Sequence, residues 1–203
     1  TFVGRDGEAT LAGLATQLVG RAGAPFVYRG SVAPAVVAGF SQERITEMGA
    51  VLARAFGLVG LFGVDLILDR DGVPWPVEVN PRYTASVEVI ELATGQSLLA
   101  AHVAACTGRP FSIRAPGGPT GFVAKEVVYA PGALELDRVI PYEVPGPFEV
   151  PAIADVPQPG THFLPGDPVL TVFAQADRPD HALRLLARHR RRRLGELGWV
   201  TGS

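Results

Sequence analysis

The chain has 203 residues, 47% hydrophobic and 19% charged, with a formal net charge of −2. That is enough apolar material for one large domain or two smaller ones, and the charge balance gives no global attraction for nucleic acid or an anionic membrane. Cys106 is the single cysteine, which excludes an intrachain disulfide. No apolar run approaches the roughly 18 residues that span a bilayer and no signal-like segment opens the chain, so a cytoplasmic setting is the expectation.

Residues 1–20 read as a hairpin: an apolar start, a polar turn at Arg5-Asp6-Gly7, and a second run from Ala9 to Leu18. The Ala, Leu and Gln content of residues 8–19 also permits a helix. Residues 24–34, bounded by Gly and Pro, are expected to form a loop carrying Tyr28, Arg29 and Ser31. Arg29 is a candidate for gripping a substrate carboxylate or nucleotide phosphate with its planar fork, against the plainer reading of a solvated turn arginine.

A helix is predicted over residues 41–56. Ser41 is its N-cap, Phe40 and Ile45 are spaced as a hydrophobic staple, and Ile45, Met48, Leu52, Ala55 and Phe56 form its apolar stripe. Gly57 suits the left-handed position that ends it.

Residues 60–80 carry the chemistry. The run Val64-Asp65-Leu66-Ile67-Leu68 meets Asp69-Arg70-Asp71-Gly72, whose Asp-Gly ending favours a tight turn, and a second β-rich run follows to Asn80. With the turn centred on Arg70-Asp71, Asp65 is expected opposite Pro76 and diagonal to Glu78. Alternation along strands then puts Asp65, Glu78 and Asn80 on one face. Two close carboxylates repel unless a cation lies between them, and hard oxygen donors without His or thiolate suit Mg²⁺ or Mn²⁺. Arg82 stands where a fixed cation could stabilise charge on a transferred phosphoryl group. The plain alternative is a solvated surface hairpin with Asn80-Pro81-Arg82 as a turn. Pro74 and Pro76 each remove a backbone donor, which implies an edge or sparse pairing on that side.

Residues 84–94 are expected to form a short helix capped by Thr84 or Ser86 and stopped by Gly95, its N-terminal amides favouring anions. Ser86 either caps it or touches the nucleotide. A further helix from Ser97 to about Gly108 should bury Leu98, Leu99, Val103 and Cys106, with His102 as a packed residue.

A change in composition at residues 115–119 suggests a boundary, giving residues 1–115 and a β-rich lobe over 116–203. Residues 122–129 read as a strand, and five prolines between Pro141 and Pro157 exclude helices there. Pro179 suits the first position of a final helix, which carries Arg184, Arg188 and Arg190 to Arg193. No aromatics interleave with these arginines, so nucleic acid is not the expected partner.

The string Gly63-Val64-Asp65, the step of 13 residues to Glu78, and Glu78-Val79-Asn80-Pro81-Arg82 resemble the ATP-grasp superfamily of carboxylate–amine ligases. The resemblance implies an α+β chain: the C-terminal half of an ATP-grasp fold, an antiparallel sheet with helices, followed by a small β-rich lobe. It implies ATP and Mg²⁺ (or Mn²⁺) as cofactors, with Asp65, Glu78 and Asn80 as metal ligands and Arg82 steadying the transition state. It also implies small-molecule carboxylate and amine substrates, and an N-terminal half carrying phosphate-binding lysines. Lys125 is the only lysine here.

Residues 81–88, with His102 and Cys106, also resemble tyramine–glutamate ligase-type proteins of one-carbon cofactor metabolism. Residues 155–172 resemble the C-terminal portion of some ATP-grasp carboxylases and ligases. The alternatives are a biotin-carboxylase-like or carbamoyl-phosphate-type carboxylase, or a non-catalytic binding or assembly module. A homo-oligomer is left open.

Overall fold

A computed structural model describes residues 1–21, 23–36, 41–114 and 121–199. The expected staple residue Phe40 and the Pro/Gly boundary at 115–119 lie outside the described residues. In chain order the elements are β1 (Phe2–Arg5), β2 (Glu8–Leu11), β3 (Thr16–Arg21), β4 (Ala24–Ala33), α1 (Gln42–Phe56), β5 (Gly60–Leu68), β6 (Pro74–Asn80), α2 (Ala85–Thr94) and α3 (Leu98–Cys106). There follow β7 (Phe122–Tyr129), β8 (Leu134–Glu135), β9 (Ile153–Ala154), β10 (His162–Phe163), β11 (Pro168–Ala176) and α4 (Pro179–Glu196). Among the described residues no single helix is long and apolar enough to cross a membrane.

Two compact units result. One comprises Thr1–Thr16 and Ala33–Pro119, the other Gln17–Val32 and Thr120–Ser203. A single cut at 115/116 therefore does not follow the units, because β4 hydrogen-bonds to β7 and takes its sequence neighbours with it. The segment expected as a loop at 24–34 is the ten-residue strand β4. Its Gly30 lies so close to the Lys125 backbone that any side chain there would collide.

The first unit is an antiparallel sheet of order β2-β1-β5-β6. Asp6 and Gly7, both at positive φ, close the β1–β2 hairpin. The run that was expected to continue to Leu18 stops at Leu11 and resumes as β3 in another sheet. Phe2 and Phe62 stack with centroids 5.1 Å apart, and Leu11, Ile45 and Ala53 complete the buried cluster.

Helix α1 starts as the sequence implies, with Ser41 Oγ accepting from the Arg44 N–H at 3.4 Å, and ends at Gly57 in the left-handed conformation. Its buried side is Ile45, Gly49 and Ala53, while Phe56 is 68% exposed, contrary to the expected stripe. The Phe2 ring fills the space over Gly49, so this face can approach only where a side chain is missing. In α3 the buried residues are Leu98, Ala101 and Ala105, with Leu99 and Val103 about half exposed. That helix is apolar nearly all round, so its sequence does not choose a face.

The second unit has a five-stranded sheet of order β3-β4-β7-β11-β9 and a two-stranded sheet of β10 and β8. Helix α4, with Pro179 at its start, contributes Ala182, Leu186 and Leu194 to a core with Val128, Leu170 and Val172. Residues 141–151 contain no described helix or strand, as their prolines imply.

Phe62→Ala is expected to cost about 3–5 kcal/mol through lost burial and a cavity beside Phe2. The urea midpoint should fall with an unchanged slope. A midpoint equal to wild type would remove the stacked pair from the energetics of this core.

Candidate active site

The β5–β6 hairpin divides its side chains by face. Val64, Leu66 and Val79 pack against the cluster of Phe2, Ile45 and Phe62. Asp65, Glu78 and Asn80 alternate with them and take the other face.

The register differs from the expected one. Asp65 lies directly opposite Glu78 and Gly63 opposite Asn80, while Leu66 faces Pro76 beyond a bulge at Asp65/Leu66. The turn also reaches further than Arg70-Asp71. Asp69 Oδ1 accepts from the N–H groups of Asp71 (3.0 Å) and Val73 (2.9 Å), and Oδ2 accepts from the Trp75 indole (2.9 Å). These bonds hold the Asp69 carboxyl below its ordinary pKa, the indole bond contributing most. The loop therefore spans Asp69 to Val73, and the bulge absorbs the offset. Asp65 and Glu78 are therefore a facing pair and not a diagonal one.

Directly opposed like charges are destabilising in a ladder. The Glu78 side chain is exposed. Among the described residues no group of three or more His, Cys, Asp or Glu could hold a metal. Two carboxylates and one amide share this face, and all three offer hard oxygen atoms.

Asn80 is buried, and its Oδ1 accepts from Arg82 Nη2 at 2.9 Å. The chain turns sharply there, with the Arg82 N–H donating to the Asn80 carbonyl at 2.8 Å. Arg82 Nη1 also reaches the Tyr83 carbonyl at 3.3 Å. The guanidinium is therefore held beside the acidic face while keeping other N–H groups for a ligand.

Helix α2 begins just beyond. Thr84 is its N-cap by backbone, but neither Thr84 nor Ser86 caps with its side chain; their hydroxyls pair with each other at 3.1 Å. Any side chain at Gly63 would come within 2.8 Å of the Thr84 methyl. That close packing sets the first turn of α2 beside the strand position opposite Asn80.

Arg29 is bound within its own sheet. It lies on β4 in the second unit, where Nη2 and Nε donate to Glu126 Oε1 at 2.6 and 3.2 Å. His102 is a packing residue, its Nδ1 accepting from the Leu61 N–H at 2.9 Å.

One residue gives no signal in the sequence. Glu91 accepts from the N–H groups of Leu98 (2.6 Å) and Leu99 (3.0 Å) through Oε1, and from the Tyr83 hydroxyl (2.9 Å) through Oε2. It ties the start of α3 to the segment carrying Arg82. Burial, followed by this bond to Glu91, pushes the Tyr83 phenol well above its ordinary pKa.

Residues 1–86 match the model of the ATP-grasp domain. Over that stretch the chain is similar to ATP-grasp domains. Over 87 residues it is 39% identical to the carbamoyl phosphate synthase large chain of Neisseria gonorrhoeae, covering 43% of this chain and 7% of that one. Over 106 residues it is 33% identical to the formate-dependent phosphoribosylglycinamide formyltransferase of Oleidesulfovibrio alaskensis, covering 52% and 26%.

Among solved structures, the biotin carboxylase domain of the Hydrogenobacter thermophilus 2-oxoglutarate carboxylase, in complex with MgADP, ADP and bicarbonate, matches with a TM-score of 0.64. It is 16% identical, and the match covers 93% of this chain and 43% of that one. The chain thus spans 26% or less of the length of these curated relatives. The α+β expectation holds, with antiparallel sheets and helices in the arrangement of this fold.

The turn gives a pH test. Because Asp69 is depressed in the folded hairpin, its contribution is complete above the ordinary carboxylate value of about 3.9 and disappears as pH falls through the lower folded value. The Trp75 indole N–H resonance should shift in that acid window. Asp69→Asn should abolish the step, and a titration at or above the ordinary value would contradict these bonds.

Proposed function

We propose that this chain is the C-terminal, metal-holding part of an ATP- and Mg²⁺-dependent ligase that joins a carboxylate to an amine. In such a reaction the carboxylate takes the terminal phosphoryl group of ATP, releasing ADP, and the amine then displaces phosphate to leave an amide. The observation that carries the reading is Asp65 facing Glu78, with Asn80 on the same side and Arg82 bonded to it. The name of the formyltransferase relative, formate-dependent, supports a carboxylate as the activated group.

The donor set fits Mg²⁺, and Mn²⁺ equally well. Asp65 and Glu78 would ligate through their carboxylates and Asn80 through Oδ1. When bound, the cation neutralises phosphate charge and orients the transferred group. Arg82 needs no proton change to act, since a guanidinium stays charged at every working pH. Held by Asn80 and the Tyr83 carbonyl, it offers its remaining donors to the oxygens where charge builds, with little reorganisation. Its bond to Asn80 also turns the amide so that Oδ1 lies toward the guanidinium. The first turn of α2 adds backbone N–H groups that favour an anion on this side.

A second reading stays within the superfamily. The similarity to carbamoyl phosphate synthase, and the bicarbonate in the solved neighbour, favour bicarbonate as the acceptor in place of an organic carboxylate. ADP release that needs bicarbonate and no amine would select it.

In the full-length protein, Glu78→Gln is expected to lower ADP release at least about 100-fold, and EDTA to abolish it until Mg²⁺ or Mn²⁺ is restored. Arg82→Met should lower kcat by about 10²–10³ with a smaller change in KM for ATP, the mark of an interaction made mainly in the transition state. Wild-type turnover by Glu78→Gln would overturn the metal assignment. Full-length protein that binds no Mg-ATP would instead place the chain among binding modules.

A further inference from the structure

The second unit contains a cavity of about 530 Å³ that the ligase reading does not use. Arg21, Arg29, Arg190, Glu126 and Tyr129 supply its polar lining, and Leu194 is among its apolar wall residues. Three guanidiniums and one carboxylate leave the lining two positive charges in excess.

The three arginines are not equivalent. Arg29 is engaged through all three of its nitrogens, with Nε and Nη2 on Glu126 and Nη1 on the Gly20 carbonyl at 3.2 Å. The Glu126 side chain is only 5% exposed, and this pairing accounts for its burial. Arg21 lies over the Tyr129 ring, 4.6 Å from its centre, and gives one Nη to the Gly166 carbonyl at 3.3 Å. Arg190 reaches Glu126 only at 3.7 Å, beyond hydrogen-bond range. The Nε atoms of both Arg21 and Arg190 are shielded from solvent and have no hydrogen-bond acceptor. Those Nε atoms are out of reach of a ligand. No Nη of Arg190 and only one Nη of Arg21 gives a hydrogen bond to a described residue, so the cavity keeps cationic Nη donors for an acceptor from outside the chain.

We propose that this cavity is a binding site for a small organic phosphate. The planar forks of Arg21 and Arg190 suit phosphate oxygens, and a dianion matches the excess charge. The apolar wall suits an organic body beside the phosphate. Glu126 and Arg29 set the floor, the acid holding Arg29 rigid and repelling an anion that would otherwise displace it. Gly30 makes this arrangement possible, because any larger residue would push β4 away from the backbone at Lys125.

The test uses the intact protein with neither nucleotide nor divalent cation, so that the acidic face of the hairpin plays no part. Inorganic phosphate and phenyl phosphate should each raise Tm saturably over chloride at equal ionic strength, with phenyl phosphate the tighter by calorimetry. Arg190→Gln and Arg21→Gln should each weaken phenyl phosphate at least tenfold, whereas Arg184→Gln, whose partner is Asp180 on the same helix, should not. Arg190 is 41% exposed, so its variant will fold and decides the matter should Arg21→Gln not. Equal shifts by chloride and phosphate, undiminished binding by Arg190→Gln, or benzoate binding as tightly as phenyl phosphate would each overturn the proposal.

Discussion

Asp65 and Glu78 face each other across a β ladder, and the first unit is arranged so that they have no alternative. Their strands are fixed from behind by Val64, Leu66 and Val79, which belong to the cluster of Phe2, Ile45 and Phe62. A slip of one residue would bury both acids and expose that apolar face, so the core itself enforces the register. The facing of the two acids is thereby held in place by hydrophobic burial.

Around this pair the chain supplies orientation more than further charge. Arg82 fixes the Asn80 amide, the sharp turn after β6 fixes Arg82, and Glu91 fixes Tyr83 while tying α2 to α3. The Thr84 methyl against Gly63 seats the helix that begins there. Each contact is modest alone. Their shared effect is to keep a guanidinium and a helix N-terminus beside the acidic face.

The second unit shows a different electrostatic arrangement. Glu126 is buried with a full partner in Arg29, while Arg21 and Arg190 enter the same cavity with donors unmet. A buried acid satisfied by one of three cations leaves a positive site, and the aromatic face of Tyr129 steadies one of the two that remain.

Much of the framework was legible in the residues. Ser41 and Gly57 bounded α1, Gly95 ended α2, Ser97 started α3 and Pro179 opened α4, because caps and stops are local interactions within one turn of chain. Alternation alone put Asp65, Glu78 and Asn80 on a common face. The facing register did not follow, because the Asp69 side chain stretches the turn to Val73 and a bulge compensates. The segment around Arg29 read as a loop because Gly and Pro bound it, yet pairing with β7, distant in sequence, makes it a strand.

The sequence by itself determined the helix limits, the hairpin and the common face of Asp65, Glu78 and Asn80, since each depends on neighbours a few residues away. Only the tertiary structure decided which face of α1 and α3 is buried, where Arg29 goes, and that Arg21 and Arg190 share one cavity. Those outcomes rest on contacts between segments far apart in the chain, whose geometry no local pattern encodes.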